Sequence, residues 1–99
     1  MSTTSSIALS GMQAAQTRLR ASAHNVANLA TDDFRRQEVQ QTARPQGGVD
    51  ADVVRAPVAG PALVRDLVEQ LEARNAFLAN LAVFKSHDKL AGALLDLQA

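Results

Sequence analysis

Apolar side chains recur along this chain in two long helical runs, separated by a stretch with no helical period. In the first run, "IALSGMQAAQTRLRASAHNVANL", Met12, Leu19 and Val26 stand seven residues apart. Ala8, Ala15, Ser22 and Leu29 interleave with them at the same spacing, a coiled-coil-like seam with one edge of small residues. The pattern predicts a helix from about Ser5 to Leu29, with "MSTTSS" as a frayed or capping start and Thr4, Ser5 and Ser6 all suitable N-caps. The second run, "PALVRDLVEQLEARNAFLANLAVFKSHDKLAGALLDLQA", predicts a helix from about Ala62 to Leu97. Pro61 suits its first turn, where the missing N–H costs nothing. Leu67, Leu71 and Leu78 form one stripe; Phe77, Leu81, Phe84, Ala91 and Leu95 form another, interrupted by Asp88. At ~1.5 Å per residue such a helix is roughly 54 Å long. The first helix is about eleven residues shorter. A lone pair therefore leaves part of the second uncovered and in need of neighbours.

Between the runs, Phe34 to Thr42 reads as extended, and "PQGGVDADVV" as a turn at Gly47 and Gly48 followed by a short alternating strand. Pro45, Pro57, Pro61 and Gly60 punctuate the rest. The fold class expected is all-α: two long helices in coiled-coil-like packing, joined by an extended loop or short β-hairpin. The expected divisions of one structural domain are 1–30, 31–61 and 62–99.

Composition qualifies this picture. Hydrophobic residues make up 46% of 99, but aromatics only 3%, and much of the apolar share is alanine. Alanine buries little area, so an isolated monomer is marginal and association with copies or partners is expected. Ten basic and ten acidic side chains cancel, which leaves no electrostatic footprint for nucleic acid. With no cysteine, disulfides, thiol catalysis and cysteine-based zinc sites are excluded. No apolar run approaches the ~20 residues of a membrane span. "MSTTSSIALSG" has neither a basic n-region nor an apolar h-region, so no cleavable secretory signal is expected.

Candidate chemistry is sparse. His24 and His87 lack companions at ligand spacing and read as helix-surface or seam histidines. Asp32–Asp33 and Asp50/Asp52 have no EF-hand spacing and read as solvated loop. Neither Ser10–Gly11 nor Gly47–Gly48 is followed by the lysine of a phosphate loop. Arg18, Arg20, Arg35 and Arg36 read as a charged face paired with acids on neighbours. Asn25 lies beside the seam, where a polar residue fixes register at a cost in stability. Asn28 lies near the helix end, where asparagine tolerates left-handed backbone. No nucleophile, base and orienter assemble, so no catalysis, cofactor, metal or small-molecule substrate is expected.

Two segments carry a resemblance. "ALSGMQAAQTRLRASAHNVANLATDDFRRQEV" resembles the N-terminal segment of bacterial flagellar rod and hook proteins, with its pattern A-N-N-I-A-N-x-x-T-x-G-[YF]-[KR]-[RK]. Asn25, Ala27, Asn28, Thr31, Phe34, Arg35 and Arg36 fall on matching positions; His24 replaces an asparagine and Asp33 the turn glycine. "DLVEQLEARNAFLANLAVFKSHDKLAGALLDL" is similar to the family's C-terminal pattern E-M-V-x-L-I-x-A-Q-R-A-Y-E-A-N-x-x-V-x-K-x-x-D-x-M, matched at Ala73, Ala76, Phe77, Ala79, Asn80, Val83, Lys85 and Asp88. Asn75 stands where arginine is usual, and Phe77 where tyrosine is usual. "GGVDADVV" resembles the segment after the first motif in short proximal rod proteins, especially the C-type one. The middle is shorter than in proximal rod proteins, so the chain looks like a minimal version.

The resemblance implies a non-catalytic subunit of the flagellar basal-body rod, which spans the periplasm and assembles into a tube through its terminal helices. It implies copies of itself, other rod proteins and the flagellar type III export apparatus as partners, and export without a cleaved signal. The assembly and packing residues expected are Met12, Leu19, Asn25, Val26, Asn28, Thr31, Phe34, Leu71, Phe77, Leu78, Asn80, Leu81, Phe84, Asp88 and Leu95. In this reading the asparagines and the helix stop aim the loop outward from the tube wall, and Phe34 anchors it. The alternative is a rod-derived helical adaptor or regulator that binds flagellar components.

Overall fold

The computed structural model describes residues 3–98, in the order α1 (Thr3–Ala27), β1 (Gln37–Ala43), β2 (Val49–Arg55) and α2 (Leu63–Gln98). The ends assigned to Met1, Ser2 and Ala99 lie outside the described residues. The helix is already formed at Thr3, so Thr4, Ser5 and Ser6 lie inside its first turns instead of capping it. The molecule is a flat rod, with principal extents of 62 × 24 × 14 Å.

The chain is not all-α. A two-stranded antiparallel hairpin is a structural layer of its own, with seven paired positions running from Gln37–Arg55 to Ala43–Val49. The β-branched residues Val39, Thr42, Val49, Val53 and Val54 suit the pleat. The turn closes where Arg44 N–H donates to Gly48 O at 3.0 Å and Gly47 N–H to Arg44 O at 3.1 Å. Gly47 and Gly48 have φ of 98° and 95°, a region that an L side chain rarely enters. A free hairpin is marginal in water; this one lies along α1, and both strands touch that helix.

α1 therefore has two covered sides. Ser5, Ala8, Met12, Ala15 and Ser22 are buried on the heptad seam, with Leu19 and Val26 half-buried. Ser10, Ala14, Ala21 and Asn25 are buried on a second side, toward the hairpin. α2 runs antiparallel to α1, as the pairs Asn25–Asp66, Arg18–Glu69 and Gly11–Asn80 show. By that register the start of α1 lies near residue 88 of α2, and every described residue from Asp88 to Leu97 is exposed.

On α2 the polarity is inverted. Asp66, Ala73, Asn80 and His87, seven apart, are buried or half-buried, while Leu67, Leu71 and Leu78 are exposed. Ala73 is fully buried, and a Cβ built on Gly11 would lie 2.6 Å from Asn80 Cγ. The helices thus meet through small residues, at a distance that large ones would forbid.

Candidate functional site

The most concentrated polar geometry sits where α1 ends, the hairpin begins and α2 starts. Asn28 terminates α1: its backbone N–H and its Nδ2 both donate to His24 O, at 3.1 and 2.9 Å. Its own carbonyl accepts the Thr31 N–H at 3.0 Å, and its Oδ1 accepts the Thr31 hydroxyl at 3.2 Å. These bonds satisfy groups that a helix end leaves open. Asp33 follows with φ of 56°, the one left-handed non-glycine among the described residues. The Phe34 ring then packs on His24, centroids 5.4 Å apart and tilted by 58°.

Asn25 next joins α1 to the hairpin. Gln37 N–H donates to Asn25 Oδ1 at 2.7 Å, and Asn25 Nδ2 donates back to Gln37 O at 2.9 Å. The side-chain amide thus behaves as one more peptide group beside the strand. The same Nδ2 reaches Asp66 Oδ1 at 3.1 Å. Asp66 is 1% exposed and Arg36 9%. The Arg36 fork grips the Asp66 carboxylate through Nε at 3.1 Å and through Nη2. The hydrogen bond to Asp66 raises the Arg36 pKa above its ordinary value; burial opposes this, and the charges of Asp66 and Glu38 add to it. Arg36 O also accepts Ala56 N–H at 2.7 Å, and Arg35 Nε donates to Ala56 O at 2.6 Å. Among the described residues, no buried side-chain nitrogen or oxygen lacks a partner.

This cluster clamps the end of α1, the base of the hairpin and the start of α2 together. Its groups are mutually saturated, and no group of three or more His, Cys, Asp or Glu among the described residues is placed to hold a metal. Among the described residues, no helix is long and apolar enough to cross a membrane. The four arginines separate in role. Arg18 pairs with Glu69 and Glu72, Arg36 with Asp66, Arg35 serves a carbonyl, and Arg20 is exposed. The acids that answer Arg18 and Arg36 belong to this same chain.

The remaining expected residues divide by face. Met12 is buried; Leu19, Val26, Phe77, Asn80, Leu81 and Phe84 are half-buried between or beside the helices. Leu71, Leu78, Asp88 and Leu95 are exposed, at 60% and 48% for the first two leucines. The hairpin folds back along α1, with Val49 N–H on Ser10 Oγ at 3.2 Å near its tip. Asp66 is hard to find in the sequence because an acid beside Arg65, Glu69 and Glu72 looks like one more surface charge. Its one signal is its place as the first residue of the second motif segment, opposite Asn25 and Arg36 of the first. No family model matches this chain, and no curated protein matches it.

Proposed function

We propose that the chain is a structural subunit of the bacterial flagellar rod that works by packing its helices with copies of itself and other rod proteins, without catalysis. The observation that carries this reading is α2. Its exposed apolar residues run the length of the helix, from Val64, Leu67 and Leu71 to Leu90, Leu94 and Leu97. Apolar surface of that extent calls for burial, and α1, the one helix packed on α2 within the chain, leaves these residues exposed. The likeness of the two end segments to rod proteins names the assembly. The clamp ties those two segments together, since Asn25 and Arg36 of the first hold Asp66 of the second.

Mass spectrometry of detergent-purified basal bodies from the source cell tests the reading. Several copies per particle are expected. Recovery only in the soluble fraction, with other rod subunits in the particles, would refute it. Leu71→Asp and Leu78→Asp are expected to abolish incorporation, because the assembled wall would have to bury a charge. A second reading, a rod-derived adaptor, is favoured by the clamp itself, which satisfies its polar groups within a single chain. A closed dimer that never enters the particle would select it.

A further inference from the structure

The accessible surface is 6809 Å², whereas a folded monomer of 10.5 kDa is expected to expose roughly 5,400 Å². The excess reflects the elongated 62 × 24 × 14 Å shape, in which α2 overhangs α1 and leaves more surface open than the ~800 Å² one partner contributes to a standard interface. The outward residues of α1 and the hairpin are mostly polar, Gln13, Gln16, Arg20, His24, Gln40, Asp50 and Asp52 among them, with Ile7 and Val53 as exposed apolar exceptions. The large apolar exposure is concentrated on α2, in two places. One is the first half of the helix; the other is the overhang past the start of α1.

These two places share a spacing. Val64, Val68 and Leu71 are separated by four and three residues, as are Leu90, Leu94 and Leu97. All six are exposed, from 47% at Val68 to 83% at Leu97. Two stripes of the same four-three period can pack in parallel, knobs into holes.

We propose that copies of this chain associate head to tail, the Leu90–Leu94–Leu97 stripe of one packing in parallel on the Val64–Val68–Leu71 stripe of the next. The α2 helices are then staggered by about 26 residues, or ~39 Å. The contact is heterologous: each copy uses a different patch at each end, so the array stays open. This rests on the self-packing reading above and specifies its interface.

Two variants test it, Leu71→Glu and Leu94→Glu, chosen because glutamate keeps the helix; circular dichroism checks that each stays folded. In sedimentation velocity the mass of the wild-type chain is expected to climb with concentration beyond the dimer. Each variant alone is expected to stay monomeric. Mixed, they should form a one-to-one heterodimer that grows no further, because each supplies the patch that the other lacks. A wild-type dimer that stops growing, a variant that still oligomerises alone, or a mixture that stays monomeric overturns the head-to-tail contact. Wild-type chain that remains monomeric at every concentration overturns the self-packing reading with it.

Discussion

The base of the hairpin and the outer side of α2 treat polarity in opposite ways. At the base, Asp66, Arg36 and Asn25 are buried and their polar groups are answered within the chain. On the same helix, Leu71 is 60% exposed and Leu94 54%, with no covering element. Low exposure on α2 therefore marks the contacts within the folded chain, and high apolar exposure marks surface left over. A buried ion pair is weak evidence of stability, since desolvation offsets its attraction. Its geometry is demanding, however, and it admits one alignment of α1, hairpin and α2. The leucines are undemanding and would pack against many surfaces. The chain thus fixes its internal register with polar groups and leaves much of the apolar surface of α2 uncovered.

The sharpest way to break that contrast is at Asp66. Asp66→Ala leaves the Arg36 guanidinium buried without its carboxylate and is expected to destabilise the fold by about 3–5 kcal/mol. In a small domain whose whole stability is of order 5–15 kcal/mol, urea denaturation should show most of it gone. Replacing the pair together, Arg36→Met with Asp66→Leu, should recover much of the loss. If the single variant unfolds at the same urea concentration as wild type, the clamp holds nothing.

Gly11→Ala comes next. The added methyl would meet the Asn80 side chain at 2.6 Å, and that side chain is itself held by Nδ2 on Ala76 O at 2.8 Å. Overpacking of this kind costs about 1–3 kcal/mol. Asn80→Ala in the same chain should relieve it, and a thermal double-mutant cycle reads the coupling directly. Equal losses with and without Asn80 would show that the close approach of the helices lies elsewhere.

Much of the scaffold is legible in the sequence because period and punctuation are local signals. The α1 seam follows from the heptad of Ala8, Met12, Ala15 and Ser22, and the hairpin turn from Gly47 and Gly48. The clamp is not legible, because Arg36 and Asp66 are thirty residues apart and each alone looks like a surface charge. The inward side of α2 is legible only in part. Phe77, Leu81 and Phe84 of the second stripe are half-buried, but the row of Asp66, Ala73, Asn80 and His87 is polar or small, and the Leu67, Leu71 and Leu78 stripe faces out. The strands show in outline, but not that the hairpin lies back along α1. That placement depends on single bonds from Asn25 and Ser10, which no period announces.

Leu78→Asp sharpens the comparison from the other side. Leu78 is already 48% exposed, so its loss removes little buried area from the single subunit. Aspartate is a poorer helix former by up to ~0.7 kcal/mol. A stability loss of about 1 kcal/mol or less is expected in urea, twelve residues from the position with the largest effect. A loss comparable to that of Asp66→Ala would mean that this leucine is packed within the subunit, and the division between inner and outer faces would fail.

The smallest effect is expected inside the well-satisfied region, at its one strained residue. Asp33 has φ of 56° in the turn between the cap of α1 and Phe34. A left-handed backbone favours glycine, which has no Cβ to clash with the following carbonyl. Asp33→Gly removes that strain but also frees the unfolded chain, and the second effect offsets most of the first. A net gain of no more than about 0.5 kcal/mol is expected. Asp33→Val, branched at Cβ and without a polar group to bond locally, should instead lose about 1–3 kcal/mol. The two substitutions differ in sign, so a pair of thermal melts suffices. If valine proved as good as glycine, the turn would not need its left-handed residue. The path from Asn28 to Arg36 would then be set by the clamp alone.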